Sequence, residues 1–321
     1  MKTFRGVDLT SMPAFVKTPK EGRVLLLDGD AAAYRAAATV AKLPTAVNKF
    51  WTLVLEEMYV TEASQAIVHL TSHDCTKLDR KFYPTAKPYQ GNRVGKVKPP
   101  LLEPLREGLV RETAPDGVAV VLNREMEADD AIIAMAYDFP DVVISSADKD
   151  LRQTIHPYFE SATGQIGVIS STQGWVDIKH TPSGAPKLVG HGWFFLLAQW
   201  LAGDPADNVA GLLSYKGSKV GVVKAVKLLH EWGDFNESVH NIIKAYARIK
   251  QDALAELTMV FLHRNPFDTA WAWLVELGYD DYEKDKYAKW LYNLHRRHIR
   301  IIKRSLAHDE DGEDTAASVD A

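Results

Sequence analysis

Acidic side chains occur in four short clusters that lie far apart in this 321-residue sequence. Carboxylates that fold together repel one another unless cations neutralise them, and sites built only from oxygen suit Mg²⁺ or Mn²⁺. Each cluster taken alone has a simpler explanation, because Asp and Glu favour the first turn of a helix and cap it. The recurrence of the pattern favours a metal site. Its candidate ligands are Asp28, Glu127, Asp129, Asp130, Asp148, Asp150, Asp204 and Asp207.

The last cluster adjoins a glycine-containing turn. Asp204 and Asp207 follow an apolar run that is typical of a helix, and the turn Gly217, Ser218 and Lys219 precedes a second helical run. Backbone N–H groups of such a turn can point at a phosphate. A metal pair beside a phosphate-binding turn suggests a metal-dependent nuclease. A helix–turn–helix with Asp N-caps explains this one segment equally well.

The spacing of apolar residues predicts the elements that position these side chains. Continuous apolar runs predict buried parallel strands over residues 23–28, 65–70, 118–122 and 142–145. Helices are predicted over residues 31–41, over 101–110 and from about residue 127, so strands and helices alternate and predict an α/β fold with a mostly parallel sheet. Ligands of such sheets bind beyond the carboxyl ends of the strands, where most of the acids fall.

Strand patterns stop near residue 190, and helical runs follow over residues 193–202, 218–232, 236–263 and 283–306. We therefore expect an N-terminal arm over residues 1–22, an α/β domain over 23–190 and a helical region over 191–306. The tail, residues 307–321, is expected to be disordered. It carries six acids and, with the formal net charge at −4, leaves the rest of the chain net positive.

The bulk composition excludes several classes of protein. A single cysteine, Cys75, rules out an internal disulfide and a cysteine-based zinc site. The N-terminus has no apolar signal region, and no apolar run is long enough to span a membrane. We expect a cytoplasmic monomer, in a host cell if the protein is viral.

Four motifs, taken in order, resemble the acidic motifs of the 5′→3′ exonuclease/flap endonuclease family. They are Leu27-Asp28-Gly29-Asp30, Met126-Glu127-Ala128-Asp129-Asp130, Ala147-Asp148-Lys149-Asp150-Leu151 and Gly203-Asp204-Pro205-Ala206-Asp207-Asn208. The resemblance spans roughly residues 23–230 and is greatest to the bacteriophage members and to the 5′-nuclease domain of bacterial DNA polymerase I. It implies a PIN-like fold followed by a helix–three-turn–helix that grips duplex DNA and often holds K⁺.

The resemblance also implies hydrolysis of DNA phosphodiesters with two Mg²⁺ or Mn²⁺ ions. Asp28, Glu127 and Asp129 would hold one ion, and Asp148, Asp150 and Asp204 the other, with Asp130 and Asp207 binding directly or through water. Expected substrates are duplex DNA with 5′ ends, overhangs or flaps, and RNA–DNA hybrids, including RNA primers during replication. Gly217, Ser218 and Lys219 would contact the duplex.

Residues 85–93 resemble the Tyr-Lys-Gly-Asn-Arg motif of the family, whose basic residues contact the scissile phosphate. Arg93 matches the motif, Tyr89 could stack on a base, and Gln90 replaces the lysine. Candidate replacements for that lysine are Lys81, Lys87 and Lys96. A solvated basic loop is the alternative interpretation of this stretch.

Two further departures concern the metal and K⁺ sites. The family commonly has an acid directly after the second strand, whereas here the nearest acid is Asp74, several residues further on. The turn near Gly217 has one apparent extra residue, which puts the K⁺ site in doubt.

Three other functions are compatible with parts of the sequence. The first is a structure-specific DNA-binding protein with weak or no nuclease activity, which the departures at Gln90 and Asp74 favour. The second is a PIN-type ribonuclease, which the helical region argues against. The third is a phosphatase-like enzyme, but the residues after Asp28-Gly-Asp30 do not provide the required nucleophile motif.

Overall fold

The computed structural model describes residues 3–4, 7–8, 18–111, 113–161, 163–168, 171–265 and 267–317, with residues 3–4, 7–8 and 309–317 described by backbone alone. Its strands are β1 (Thr3–Phe4), β2 (Val7–Asp8), β3 (Lys20–Asp28), β4 (Ala63–Thr71), β5 (Val118–Asn123), β6 (Val142–Ser145), β7 (Tyr158–Glu160), β8 (Gln165–Gly167), β9 (Trp175–His180) and β10 (Pro186–His191). Its α-helices are α1 (Gly29–Ala37), α2 (Leu43–Thr61), α3 (Leu102–Arg111), α4 (Ala128–Ala136), α5 (Trp193–Ala202), α6 (Val222–Trp232), α7 (Phe235–Arg248), α8 (Ala253–Val260), α9 (Ala270–Glu276) and α10 (Lys286–Ala317). Short 3₁₀ helices cover Lys77–Phe82, Gly91–Arg93 and Asp150–Gln153.

The central feature is a six-stranded sheet with the order β5-β4-β3-β6-β7-β8. All neighbouring pairs are parallel except β7 with β8, which are antiparallel. Strand β3 lies in the middle, with Leu27 opposite Val68 of β4 and Ser145 of β6. The predicted α/β class with a mostly parallel sheet is therefore confirmed.

Helices cover both faces of the sheet because alternate residues of β3 point to opposite sides. Leu25 and Leu27 pack in a core with α1, α2 and α3, while Val24 and Leu26 pack in a second core with α4. Burying each of these side chains contributes about 1.5–3 kcal/mol, which explains the continuous apolar run of the strand.

A third core holds the helical region together and includes the β9–β10 hairpin. Trp200 of α5 and Trp273 of α9 are fully buried in it. The Trp200 indole N–H donates to the carbonyl of Ala253 at 2.9 Å, and the Tyr246 hydroxyl donates to the carbonyl of Trp200 at 2.6 Å. Helices α5, α7 and α8 are thereby fixed against one another.

The structure differs from the sequence-based expectations in several elements. Helix α2 was not predicted, since only Ala46, Phe50, Val54 and Thr61 along its length are buried and the apolar stripe is narrow. Strands β7 to β10 were also missed, and the predicted run 236–263 is two helices, α7 and α8. Strand β3 begins inside the predicted arm, at Lys20.

The backbone of α10 is helical to Ala317, and residues 318–321 lie outside the described residues. The disorder expected for the tail, residues 307–321, stays a prediction. The domain boundary predicted near residue 190 stays a prediction. Among the described helices, none has the length and apolar character needed to cross a bilayer.

Candidate metal centre and nucleic-acid interface

The first acidic cluster lies where β3 ends. Asp28 caps α1 by accepting a hydrogen bond from the backbone N–H of Ala31, and the Ser146 hydroxyl donates to its other oxygen at 2.6 Å. A Cβ on Gly29 would lie 2.6 Å from the carbonyl oxygen of His69, so only glycine fits beside β4. This close approach carries Asp30 to the end of β4.

Asp30 is held there by two neighbours. The backbone N–H of Thr71 donates to its carboxylate at 3.2 Å, and an Arg106 guanidinium nitrogen lies 2.8 Å away. Thr71 is the residue that ends β4. The other acid considered for this edge, Asp74, is exposed and pairs with Arg124 at 2.7 Å. Asp30, and not Asp74, therefore brings a carboxylate to the end of the second strand of the parallel core.

Three carboxylates from two distant segments form a close group. Ligand oxygens of Asp150, Asp204 and Asp207 all lie within 4.8 Å of one another. Asp150 begins the 3₁₀ helix that follows β6, whereas the other two lie in the loop after α5. Sites of this composition are the kind that hard divalent cations occupy.

The loop after α5 has the shape that this grouping requires. Gly203 has a φ of 74°, and a Cβ on it would lie 2.4 Å from the carbonyl oxygen of Val209. Asp204 and Val209 exchange backbone hydrogen bonds of 3.0 and 2.8 Å, and the Ala206 N–H donates to the Asp204 carboxylate. The loop therefore closes on itself and turns two aspartates toward Asp150.

A lysine lies within this acidic group. The Lys149 ammonium donates to Asp150 at 2.9 Å and makes a short contact with Asp204. Gln199 of α5 donates a further hydrogen bond to Asp150 at 2.5 Å. Burial and the charges of Asp148 and Asp204 raise the pKa of Asp150 to about 7, although Lys149 opposes the shift.

The Glu127 carboxylate accepts hydrogen bonds from several side chains. Lys77 donates to it at 2.9 Å, the Tyr89 hydroxyl at 2.6 Å and the Gln90 amide at 3.1 Å. Burial alone would raise its pKa, but the charges of Arg80 and Lys77 outweigh burial and lower it to about 2. Glu127 is therefore ionised without a metal ion.

Asp130 lies close to Asp129 and Glu127, but its carboxylate is paired with an arginine, which the sequence did not predict. It is fully buried, and Arg80 binds both of its oxygens at 2.6 and 2.9 Å. The backbone N–H of His263 also donates to it at 3.1 Å. Both oxygens are already engaged in a structural ion pair, so we remove Asp130 from the candidate ligands.

The remaining acids make an electrostatic environment that a divalent ion would relieve. Burial and repulsion from Asp30 and Asp148 raise the pKa of Asp28 to about 6. The hydrogen bonds that Asp28 accepts oppose this shift. Burial and the charges of Asp130 and Glu127 raise the pKa of Asp129 well above its ordinary value. Carboxylates that raise one another's pKa would be stabilised in their ionised form by a bound cation. Their oxygens are the ligands that Mg²⁺ or Mn²⁺ takes.

These groups surround an open cavity of about 590 Å³. Seven of the residues selected from the sequence line it: Asp28, Tyr89, Arg93, Glu127, Asp129, Asp148 and Asp207. Asp150 and Asp204 are buried, and Asp204 contacts Lys149 of the lining. The exposed Lys81, Lys87 and Lys96 are not among the lining residues.

The basic loop is joined to the acidic loop by several hydrogen bonds. The Gln90 N–H donates to the carbonyl of Asp207 at 2.9 Å, and the Asn208 side chain donates to the carbonyl of Pro88 at 2.8 Å. Arg93 consequently pairs with the Asp207 carboxylate. The Tyr89 hydroxyl donates to Glu127, which positions the ring at the cavity, and the stacking role expected for this ring stays a prediction.

Four residues that shape the site were not among those selected from the sequence. Lys77 donates to the side-chain oxygen of Gln90 at 2.6 Å as well as to Glu127, and so brings an ammonium group to the position that lacked one. Lys149 lies between Asp148 and Asp150 in an acidic motif, so its closeness to the candidate ligands could have been noticed from the sequence. Arg80 is next to the candidate Lys81 but outside the motif of residues 85–93, and Glu256 is far from every motif, so neither was selected from the sequence.

Glu256 of α8 fixes the basic loop and the acidic loop to that helix. Its carboxylate is buried and accepts hydrogen bonds from the backbone N–H groups of Ala86 at 2.8 Å and Gly211 at 3.1 Å. Burial raises its pKa, and these two N–H groups partly offset the rise. One side chain of the helical region thereby holds the basic and the acidic loops in register.

The turn between α5 and α6 contains an internal cation. Tyr215 and Ser218 form a backbone bridge, and the Lys224 ammonium donates to the Tyr215 carbonyl at 2.6 Å, the Ser218 carbonyl at 3.2 Å and the Ser218 hydroxyl at 2.6 Å. These are oxygens of the kind that would hold K⁺. Gly217 and Lys219 are exposed beside them.

The fold is that of a known protein. Over 85% of this chain and 99% of the other, it superposes with a TM-score of 0.51 and 15% identity on the T5 D15 protein co-crystallised with metal ions. The match to the bacteriophage T5 D15 flap endonuclease in a pseudo-enzyme–product complex with DNA and metal ions has a TM-score of 0.51 and 14% identity, over 88% of this chain and 99% of the other. No protein-family model and no curated protein sequence matches the chain. The predicted PIN-like α/β fold with a helical region after it is confirmed, and the helix–three-turn–helix stays a prediction.

Proposed function

We propose that this protein is a metal-dependent nuclease that hydrolyses phosphodiester bonds of DNA at 5′ ends, overhangs or flaps. The observation that carries the proposal is the grouping of Asp150, Asp204 and Asp207 beside a cavity lined by further carboxylates and by Arg93. The T5 flap endonuclease, which shares the fold, was crystallised with DNA and metal ions. When bound, two divalent ions supply an activated water and stabilise the leaving oxygen of an in-line displacement.

The carboxylates divide into two proposed sets of metal ligands. Asp150, Asp204 and Asp207 form one set, with Asp148 beside them because its carboxylate accepts the N–H of Asp150. Asp28 and Asp129 belong to the other set, on the same cavity wall. This division differs from the sequence-based one in three ways. Asp207 joins Asp150 and Asp204, Asp130 is left out, and Glu127 serves mainly to anchor Lys77, Tyr89 and Gln90.

Cations around the cavity would bind and orient the substrate phosphate. Lys77 donates hydrogen bonds to Gln90 and Glu127, and Arg93 forms an ion pair with Asp207. Each positive group is therefore held by a protein partner before substrate binds. Lys187 of β10 lines the same cavity and is exposed. Fixed cations aimed at a phosphate stabilise the extra negative charge of the transition state.

Duplex binding is assigned to the turn after α5. Lys219 is exposed and makes no ion pair among the described residues, which leaves it available for a phosphate. Because Lys224 already supplies a positive charge to the turn oxygens, we propose that this turn keeps its shape without K⁺. Duplex affinity should then be the same in potassium and sodium salts of equal concentration.

The deciding experiment is a cleavage assay on a DNA substrate with a labelled 5′ flap, in Mg²⁺ and in EDTA. We expect a product that carries a 5′-phosphate, only in Mg²⁺, and none from the Asp148→Ala variant, which should still bind the substrate. Turnover by Asp148→Ala close to wild type in saturating Mg²⁺ would refute the assignment of the site.

Two matched substrates define the range of the activity. A flap with an RNA segment at its 5′ end tests removal of RNA primers, and a recessed 5′ end tests exonuclease action. If the wild-type protein binds the flap tightly but cuts none of these substrates, the protein is a structure-specific DNA-binding protein. Gln90 in place of a lysine is the observation that favours this second function, and Lys77 is the observation that opposes it.

A further inference from the structure

A second groove, separate from the acidic cavity, is formed by residues 214–217, α7 and α10. Its volume is about 850 Å³, which lies within the range of about 300–1,000 Å³ that is usual for ligand sites. None of its lining residues lines the acidic cavity. Whatever binds here does so apart from the proposed cleavage chemistry.

The groove is positively charged and uncompensated. Four cations from three separate segments line it, namely Lys216, Lys244, Arg248 and Lys286, and no Asp or Glu does. All four are exposed, and in the described part of the chain none of them makes an ion pair. The chain has a formal net charge of −4, so this convergence does not follow from a general excess of cations. Like charges held together without counter-charges indicate an anionic ligand.

The same groove carries aromatic rings. Tyr215, Tyr287 and Trp290 line it, and each is half-buried with its inner side packed against the helical core. The Lys216 ammonium lies 5.3 Å from the centre of the Tyr215 ring, and that of Lys286 lies 4.9 Å from the centre of the Tyr287 ring. Cations therefore lie directly beside aromatic rings in the groove.

This combination distinguishes between the forms of nucleic acid. Single strands bind in basic grooves where bases stack on aromatic side chains, whereas the base faces of a duplex are hidden in its own stack. A contact to duplex backbone needs exposed cations but has no use for rings in a recess. The rings in the groove thus favour a single strand.

We infer that this groove binds single-stranded nucleic acid, with phosphates on Lys244, Arg248 and Lys286 and bases against Tyr287 and Trp290. The inference rests on the proposed function, because it names the binding site for a second part of the same substrate. Binding itself does not require cleavage, so the two can be tested separately.

The first test measures the affinity for a fluorescent oligothymidylate of about 12 nucleotides, a length within the usual range of single-strand sites, in EDTA so that no cleavage occurs. The test variant combines Lys244→Gln, Arg248→Gln and Lys286→Gln. We expect its affinity to fall by about tenfold or more, and the slope of log K against log salt to decrease by about 2, because three phosphate contacts each contribute about 0.7.

A matched control variant combines Lys42→Gln, Lys49→Gln and Arg111→Gln, which remove the same charge from α2, α3 and the residue that precedes α2. None of these three residues lines the groove. We expect the control to bind the oligothymidylate with the wild-type affinity and salt slope. A blunt duplex of the same length should bind the test variant and the wild-type protein equally well.

A second measurement does not depend on the folding of a variant. A bromodeoxyuridine strand cross-linked to the wild-type protein by ultraviolet light should attach to peptides that contain Tyr215, Tyr287 or Trp290. Trp290→Phe should retain the single-strand affinity and Trp290→Leu should lose part of it, since only the ring can stack.

Three results would overturn the inference. These are an unchanged affinity in the charge variant, a parallel loss of single-strand and duplex binding, which would indicate a contact to duplex backbone, and cross-links confined to other peptides. A wild-type protein that binds the oligothymidylate as expected but cuts no flap would refute the proposed nuclease and leave the groove standing. Normal flap cleavage by the wild-type protein, together with wild-type oligothymidylate affinity in the charge variant, would refute the groove and leave the proposed nuclease standing.

Discussion

Replacement of Asp130 by alanine separates a structural role from a metal-binding one. In the folded protein the Arg80 side chain is 2% exposed and is bound by both oxygens of Asp130. The substitution leaves a buried guanidinium whose other partners are the carbonyls of Thr258 and Phe261 and, at 3.5 Å, Glu127. We therefore expect Asp130→Ala to lower the free energy of unfolding substantially.

The expected size follows from the contacts that remain. Breaking a buried ion pair by removing one partner costs about 3–5 kcal/mol. Arg80 keeps two carbonyls and a more distant carboxylate, so the loss should lie near the lower end, about 3 kcal/mol. Urea unfolding at neutral pH, followed by circular dichroism, measures it. At the same time the folded variant should bind Mn²⁺ about as tightly as the wild-type protein does.

Glu276→Ala is the matched control for the Asp130 experiment. Glu276 also accepts from an arginine, Arg264, at 2.8 Å, but its side chain is 55% exposed. Exposed pairs contribute about 0–1 kcal/mol, so its removal should cost less than about 1 kcal/mol. If Asp130→Ala is no less stable than this control, and its Mn²⁺ affinity falls by about tenfold, Asp130 is a metal ligand and the structural reasoning is wrong.

Three further predictions concern the site and the turn. Lys77→Met should lower the turnover of flap substrate by on the order of 100-fold, the effect of losing one donor to a developing anion, whereas Gln90→Lys should give no gain because its ammonium would face that of Lys77; equal rates for Lys77→Met and wild type would exclude Lys77 from the chemistry. Lys219→Ala should weaken duplex binding equally for all sequences and reduce the salt slope by about 1, and an unchanged slope would remove it from the interface. In the metal-free protein the raised pKa values of Asp28, about 6, and Asp150, about 7, mean that these two groups hold protons in the folded state that they have released in the unfolded state, so their contribution to stability should fall as pH rises from about 4 to about 7. Buried histidines such as His69 and His191, whose pKa is lowered to about 4, act in the opposite direction, so the measurement is the difference in melting temperature between the wild-type protein and the Asp28→Asn/Asp150→Asn variant in EDTA. A difference that grows in favour of the wild-type protein as pH rises over that interval would contradict this account.

Much of the mostly parallel sheet could be predicted from local patterns. The apolar run that ends at Asp28 is a buried strand because both of its faces are covered, and Val142–Ser145 has the bounds that the sequence predicted. The short, partly exposed strands Gln165–Gly167 and Trp175–His180 could not be found in the same way, since their burial comes from distant partners rather than from an apolar pattern of their own.

The candidate ligands could be collected from the sequence, but their roles could not be assigned from it. Asp129 and Asp130 are adjacent on α4, and neighbouring residues of a helix point about 100° apart. One side chain faces the cavity and the other faces Arg80, which is 50 positions away in the chain. A motif records both acids and does not record which direction each one takes.

The sequence by itself therefore determined the class of fold, the approximate ends of the core strands and the acidic character of the site. The positions of the cations were decided only by the tertiary structure. Lys77 reaches Glu127 across 50 positions, and Lys149 reaches Asp204 across 55. Local apolar periodicity is fixed by neighbours along the chain, but the pairing of a buried charge depends on which distant segment lies opposite it. That arrangement exists only once the sheet and the helical region have packed together.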